Sequence, residues 1–580
     1  MELREGLSKI GLSGFQVFDK YTEIPLSRLT FLFGPNSAGK SSIEDALSLG
    51  RSIWSVDPYA LDSGGGLLRH WRRTGADADD YVPNVQIDLT IDVAVELNES
   101  FCISTGRDLV SYGRPSYEAQ QITLRATFAR GEFFTSSCYE RVRVEQREVL
   151  ADGLPLFAYA LGGESYINFA HPLFRDIEPL EDFQEAAARW PHIFEFDNQV
   201  VKFKSDAGVR LPYWRTPWRF HTDSLLFSDK SEAALRTSFE GQEAVRAFFE
   251  GLEIPNTPLA VIEVVPAIKE FAFFIAVLEE LVCSYALIST DVVPASRQVP
   301  TEKDLTIVVQ GGSDVRDITT LFDVENFGIA SLCGDQRYYG VAKSFVHSKL
   351  ESVNRESDEG ATTESADCQS IHERVNLYLT DYLFVERGFC LNFDYLVLLS
   401  PSEYGSLAES CGGDYGSEDA RELPAAIVRI SLVDSKSRRF SFEEVGSGLG
   451  YVLPVLCSAA DPRSLVLIQQ PELHLHPALQ AAMGDVLIDA SRQRHSTLIV
   501  ETHSEHLLLR VLKRVRQSSA GTRIPDQLRI ASDEVTVLYF NPLPDGTSEV
   551  QHLRVSRDGD FMDRWPRGFF EERDRELFDE

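Results

Sequence analysis

One stretch constrains the fold of this chain more than any other: RLTFLFGPNSAGKSS, residues 28–42, with Gly34 to Ser41 in the spacing G-x-x-x-x-G-K-S. The apolar run before the loop reads as a buried strand, and SSIEDALSLGRSIW after it reads as an amphipathic helix. Strand, glycine loop and helix are the context in which this spacing forms a phosphate cradle. Gly34 and Gly39 let the backbone approach an anion, with Asn36 and Ser37 in the loop between them. Lys40 can reach the β/γ oxygens of a triphosphate, and Ser41, backed by Ser42, can hold Mg²⁺. The helix aims its N-terminal dipole at the same point. An α/β fold is expected.

Three further segments carry chemistry, all toward the other end of the chain. SLVLIQQPELHLHP, residues 464–477, is an apolar run ending in polar residues, as when a strand delivers a Mg²⁺ ligand and a base to phosphates. The two positions that should be acidic are Gln469 and Gln470. A neutral amide can hydrogen-bond a water but cannot take a proton. Glu472, beyond Pro471, is the nearest carboxylate. His474 and His476 would share one face of a strand, but a metal site there lacks a third ligand of suitable spacing. A turn bordering the nucleotide site is the preferred reading. STLIVETHSEHLLLR, residues 496–510, places His503 just past a strand tip, where it can hydrogen-bond a γ-phosphate or its attacking water. A Thr/Ser helix-capping turn is the plainer alternative. FEEVGSGLGYVLPVL, residues 442–456, sets Gly446, Ser447 and Gly448 before an apolar helix, a second anion nest. One chain already has its cradle at 34–41, so this nest points to a phosphate approached from another subunit.

Net charge is −33, from 89 acidic against 56 basic residues. Such a surface repels phosphate backbones over most of its area, so nucleic-acid contact must be local. The basic patches at Arg69–Arg73, Lys436–Arg439 and Lys513–Arg516 are read first as solvated faces. The most apolar stretch, FAFFIAVLEELVCSYALI, contains Glu279 and Glu280 and reads as a buried helix, not a membrane span. The eight scattered cysteines form no C-x-x-C pair, and MELREGLSKIGL lacks an apolar leader. A cytoplasmic protein with reduced thiols is expected.

The 580 residues suggest several lobes. Residues 1–150 read as the N-terminal half of a nucleotide-binding head, opening with a hairpin in 8–33. Residues 151–290 read as a mainly helical insertion and 291–422 as a connecting region with flexible polar loops. Residues 423–545 read as the C-terminal half of the head, and 546–580 as a small C-terminal domain. One nucleotide-binding fold split by a large insertion explains cradle and strand-tip segments lying at opposite ends of the chain.

In this order the segments resemble the ABC-type ATPase heads related to SMC, RecF and Rad50 proteins, and more closely the bacterial OLD-like ATPases. FLFGPNSAGKSS resembles their Walker A motif. VGSGLGYVLPVL is similar to their signature, with Gly450-Tyr451 where Ser-Gln is common. QQPELHLHP resembles Walker B plus D-loop, ETHSEHLLLR the switch-histidine segment, and the W-P-x-GFF ending their small C-terminal domain. The matches cover roughly residues 8–50 and 425–580.

The resemblance implies an ABC-type P-loop ATPase head that dimerises with ATP and Mg²⁺ sandwiched between the Walker A loop of one subunit and the signature of the other. By position, it implies that Lys40 and Ser41 bind phosphate and Mg²⁺, that Ser447 and Gly448 meet the partner's γ-phosphate, and that His503 is the switch histidine. Gln469 and Gln470 then stand where the Walker B acid and the catalytic glutamate belong, which implies slow or absent turnover. No Toprim-like acidic set follows. The architecture is similar to PtuA-type ATPases of Septu and retron-associated anti-phage systems, whose separate partner is an HNH nuclease of the PtuB type. A RecF- or Rad50-like repair ATPase acting on DNA ends is the alternative; the acidic charge and the lack of a long heptad region weigh against it.

Overall fold

The computed structural model describes chiefly residues 6–55, 84–92, 121–134, 139–160, 165–168, 194–197, 200–203, 291–309, 337–338, 341–345, 370–397, 426–461, 465–492 and 497–566. The polar loops expected at 61–80, 352–370 and 402–422, apart from Ser370, and the apolar helix expected at 271–288 lie outside the described residues.

A nine-stranded antiparallel sheet opens the chain. Its strands are β1 (Gly6–Ser13), β2 (Thr22–Pro25), β4 (Asn84–Asp92), β5 (Gln121–Phe134), β6 (Tyr139–Ala151), β7 (Leu154–Ala160), β8 (Ser165–Asn168), β9 (Phe194–Asp197) and β10 (Val200–Phe203). β1 and β2 pair antiparallel, which is the hairpin expected near the N-terminus. The helical reading of 151–290 needs correction over its described part. Here β7 to β10 extend the N-terminal sheet, and the rest of that range lies outside the described residues. The reason is local: LPLFAYA and VVKF are rich in β-branched and aromatic residues, which suit a pleated, half-buried surface.

A second, six-stranded sheet forms the head. It comprises β3 (Leu29–Phe33), β11 (Asp291–Val293), β16 (Val466–Gln469), β17 (Leu498–Glu501), β18 (Val535–Pro542) and β19 (Ser548–Leu553), in the order β11-β16-β17-β3-β18-β19. All pairs are parallel except β18 with β19. β3, LTFLF, is buried at every position, as a strand covered on both faces must be. β16 and β17, VLIQ and LIVE, are buried until their last residue, which turns polar at the carboxyl end. Helices α1 (Ser41–Ser55), α3 (Ser447–Ala460), α4 (Pro477–Arg492) and α5 (Glu505–Ser519) belong with this sheet, and α2 (Ile371–Leu377) runs into a π-helical turn at Tyr378–Leu383. In α5 the buried residues Leu507, Leu508, Val511, Leu512 and Val515 recur at helical spacing along one face.

The range 291–422 is less of a connector than expected. It supplies edge strand β11 to the head, and β12 (Thr306–Val309) and β13 (Cys390–Val397) to a four-stranded sheet with β14 (Ala426–Val433) and β15 (Arg439–Phe440). One hydrophobic core runs from β3 and β16 through α3, α4 and α5 to β12, β13 and β14.

The tail from 546 also differs from the expected separate domain. β18 and β19 form a hairpin closed around Asp545 and Gly546, where φ is +79°, and β19 ends the head's own sheet. Trp565 then packs edge-on against Phe33 at 5.3 Å, Phe561 at 5.0 Å and Tyr539 at 6.4 Å between ring centroids. Phe33 and Tyr539 are head strands, so the described tail is part of the head core. Trp565→Ala should therefore lower head stability by about 2 kcal/mol, less than a fully buried tryptophan would cost. A thermal melt checks this, and an unchanged melting temperature would mean that the tail contributes nothing to the head.

Candidate nucleotide site

Parallel register builds the site. Leu32 of β3 lies beside Glu501 of β17, and Glu501 beside Gln469 of β16. Three buried strands thus end at one edge, where open α/β sheets bind ligands.

The loop after β3 is held in a cradle by two glycines. Gly34 has φ +137° and Gly39 φ +94°. A Cβ at Gly34 would sit 2.5 Å from the Phe540 carbonyl oxygen, and one at Gly39 would overlap the Val17 side chain. Ser37 also adopts a left-handed φ of +64°. Asn36 and Ser37 are exposed at the loop surface and Ser41 is exposed at the head of α1. Ser42 differs: it is buried, and its hydroxyl donates to Gln16 Oε1, so it anchors the loop rather than facing a ligand. Lys40 is 4% exposed. Its Nζ donates to the carbonyls of Gly34 and Pro35, each at 2.9 Å, and lies 3.6 Å from Glu501 Oε1. Burial pushes the Lys40 pKa down, and the Glu501 charge opposes that.

At the strand tip, Gln469 Oε1 accepts from the Ala295 backbone N–H at 3.0 Å, and Nε2 donates to Glu44 Oε2 at 2.6 Å. Gln470 takes a left-handed φ of +47°, donates its backbone N–H to the Glu501 carbonyl at 2.7 Å, and starts the turn through His474. Glu472, the carboxylate nearest in sequence to the two glutamines and a candidate catalytic residue on that ground, is turned to the histidine segment. Its Oε1 accepts the His503 backbone N–H at 2.8 Å, while Oε2 is buried and, among the described residues, has no hydrogen-bond partner. His503 borders the cradle. Burial first, then repulsion from Lys40, lower its pKa against the pull of Glu472 and Glu501, so the ring is neutral at neutral pH. The capping reading of this segment holds as well, because Ser504 Oγ caps α5 by accepting from Leu507 N at 3.1 Å.

The His-x-His pair lies in a turn rather than on a strand. His474, at φ +63°, stacks on Tyr451 with centroids 4.3 Å apart, and His476 Nδ1 accepts from the Ala478 N–H at 3.3 Å. Among the described residues no cluster of His, Cys, Asp or Glu could hold a metal by itself. The residues read as a second nest do stand at a helix start, with Gly446 capping α3 and both Gly446 and Ser447 exposed. A Cβ on Gly446 would meet open space, whereas one on Gly448 would lie 2.9 Å from the His474 carbonyl oxygen.

Three residues that matter here escape sequence reasoning: Glu44, Glu501 and Arg297. Glu44 sits one turn beyond Lys40 and Glu501 inside the histidine segment, so motif spacing flagged their neighbourhoods but not their roles. Nothing in PASRQVP marks Arg297. It is 7% exposed and donates to the carbonyls of Pro294, Tyr451, Gln469 and Gln470 at 2.7–3.0 Å. Burial drags its pKa down to about 10, with Glu472 opposing. The guanidinium thereby ties the nest helix to the strand tip.

Two of the three basic patches fall among the described residues, and their arginines are paired. Arg438 meets Asp434, Arg439 meets Asp394, Arg514 meets Asp485 and Arg516 meets Asp560. Among the described residues, no helix is long and apolar enough to cross a membrane.

Residues 348–510 match a family model described as "AAA domain, putative AbiEii toxin, Type IV TA system". That stretch is less than a third of the chain, and it holds the nest, strand tip and histidine segment but not the cradle. No curated protein matches the chain. Among solved structures, the chain is similar to the SMC head domain from Thermotoga maritima, at 10% identity and TM-score 0.33, with 95% of this chain and 100% of that one covered. An SMC head domain with a coiled coil and joint, derived from Pyrococcus yayanosii, is 10% identical at TM-score 0.34 and covers 96% and 98%. An SMC head bound to the C-winged helix domain of ScpA is 10% identical at TM-score 0.35 and covers 95% and 98%. Likeness at these scores carries no weight by itself. The α/β head with its glycine loop is given by the strand order and the backbone of that loop.

Glu44 supplies a pH test of the site. Burial raises its pKa, the charges of Asp45 and Glu501 add to this, and the Gln469 hydrogen bond opposes. A carboxyl whose folded pKa is raised loses stability as pH climbs from its unfolded value through its folded one. Glu44→Gln should therefore match wild type in acid and be the more stable protein at neutral pH. Melts of both proteins across pH 4 to 8 read the difference, and parallel curves would contradict it.

Proposed function

We propose that this chain is the ATP-binding, dimerising ATPase head of a bacterial anti-phage defence complex, acting in the cytoplasm as a nucleotide-gated clamp on a separately encoded effector nuclease of the HNH type. The observation that carries the reading is the sheet edge where Lys40, Glu501, His503 and Gln469 converge on a glycine cradle, with amides at both strand-tip positions. The residues fit a triphosphate: a curled N–H-rich loop, a buried ammonium, and a helix N-terminus headed by the exposed Ser41. Mg²⁺ accompanying the nucleotide would be held from the Ser41 end of α1 and would offset the phosphate charge.

Turnover at such a site is slow. Gln470 cannot accept a proton, and Glu472 is engaged with the His503 backbone. The neutral His503 ring can orient a water, while the ammonium of Lys40 beside it disfavours a proton on the imidazole. An ATP-held state then persists, which suits a subunit that restrains a partner more than one that cycles rapidly. The exposed Gly446–Ser447 nest supports a composite site completed by a second head. The family description naming a putative toxin of a "TA system" supports a role exercised together with another component. The net charge of −33, and arginines already paired with carboxylates, disfavour extended binding along a nucleic-acid backbone.

Thermal melts with and without ATP test the cradle, because a ligand that binds only the native state raises its stability. ATP should raise the melting temperature of the wild type and leave Lys40→Ala unmoved; an equal shift in both would sink the reading. Ser447→Arg should keep the shift but lose ATP-dependent dimer mass in light scattering. Steady-state phosphate release should be slow, and Gln470→Glu should raise it at least about tenfold, since a positioned base is typically worth more than that. The nuclease link is read by co-purification of an untagged nuclease encoded beside this chain.

A further inference from the structure

Resting on the nucleotide-site reading above, we infer that Glu44 takes the place of the absent strand-tip acid: it is the carboxylate that faces the nucleotide's divalent cation, and Gln469 holds it there. The orientation of the Gln469 amide is fixed by its neighbours. The Ala295 N–H can only donate, so Oε1 must face it, and Nε2 must face Glu44, 2.6 Å away. An acid at position 469 would keep one oxygen on Ala295 and press the other against the Glu44 carboxylate. Two ionised carboxylates at that separation need a shared proton or a cation between them. Glutamine at 469 and glutamate at 44 are therefore a matched pair, carrying one negative charge moved from the tip of β16 to the first turn of α1.

The place to which it moves is the right one for a cation. Glu44 lies three residues after Ser41, and residues so spaced share a helix face. Ser41 heads that face at the mouth of the cradle. The local charges point the same way. The Lys40 ammonium is already 3.6 Å from Glu501, so Glu44 adds a negative charge that, among the described residues, no cation in this cluster offsets. A triphosphate brought to this edge meets net negative charge unless a divalent ion comes with it. Glu44 thus acts toward the metal, and Gln469 acts through Glu44 as its positioning residue.

The test compares ATP affinity in excess Mg²⁺ and in excess EDTA, by calorimetry, for wild type, Glu44→Gln and the exchange variant Glu44→Gln with Gln469→Glu. Mn²⁺ paramagnetic resonance on the ATP complex gives a second reading that needs no turnover. Wild type should bind ATP more tightly with Mg²⁺ by roughly tenfold or more, the range of ordinary coupling between two ligands. Glu44→Gln should bind metal-free ATP at least as well as wild type and lose most of the Mg²⁺ gain and the Mn²⁺ signal change. The exchange variant reverses donor and acceptor across the same 2.6 Å contact and should recover the gain. An undiminished Mg²⁺ gain in Glu44→Gln, loss of metal-free binding in that variant, or an exchange variant that recovers nothing would each overturn the assignment. No ATP binding by wild type, with or without metal, would instead overturn the nucleotide-site reading, and this assignment with it.

Discussion

The pairing of β3 with β17 on one side and β18 on the other holds the molecule's chemistry together. β3 comes from the start of the chain, while its neighbours arrive some 460 to 500 residues later. The parallel ladder, with every side chain of LTFLF buried, joins the two ends into one sheet. The register of that ladder then decides which polar residues meet. Leu32 beside Glu501 and Glu501 beside Gln469 put the Lys40 counter-charge and the strand-tip amide at the mouth of the same loop. A shift of one residue along β17 would turn Glu501 to the other face of the sheet and leave Lys40 buried without its carboxylate.

Arg297 is the second point on which the site depends. A guanidinium this buried is costly unless its donors are used, and here they are spent on four backbone carbonyls. Those carbonyls belong to the nest helix, the end of β16 and the segment after β11. Movement of the nest against the strand tip would break buried charge-assisted hydrogen bonds, so the two are mechanically joined. The stack of Tyr451 on His474 and the close approach of Gly448 to the His474 carbonyl lie along the same seam. Displacement of the nest therefore reaches the turn that carries Glu472, and Glu472 in turn holds the backbone of His503.

The sequence by itself determined the cradle, because G-x-x-x-x-G-K-S between a strand and a helix leaves the backbone one serviceable shape. It also determined the buried strands of the head and the helices near 449–459, 478–492 and 506–517, where apolar runs and amphipathic spacing are local properties. The loss of acid at Gln469 and Gln470 was equally plain, since residue identity alone removes a base. Only the tertiary structure decided what those residues touch. Glu472 is nearest in sequence to the missing acid yet turns to His503, whereas Glu44, some 425 positions from Gln469, meets it at 2.6 Å. Arg297 carries no motif, and its importance comes from carbonyls contributed by segments over 150 residues away. The tail reads as separate in sequence because its contacts are with Phe33 and Tyr539, on strands that the linear order keeps apart. Local spacing fixes what a segment can become; burial and register across distant strands fix which charges end up as neighbours.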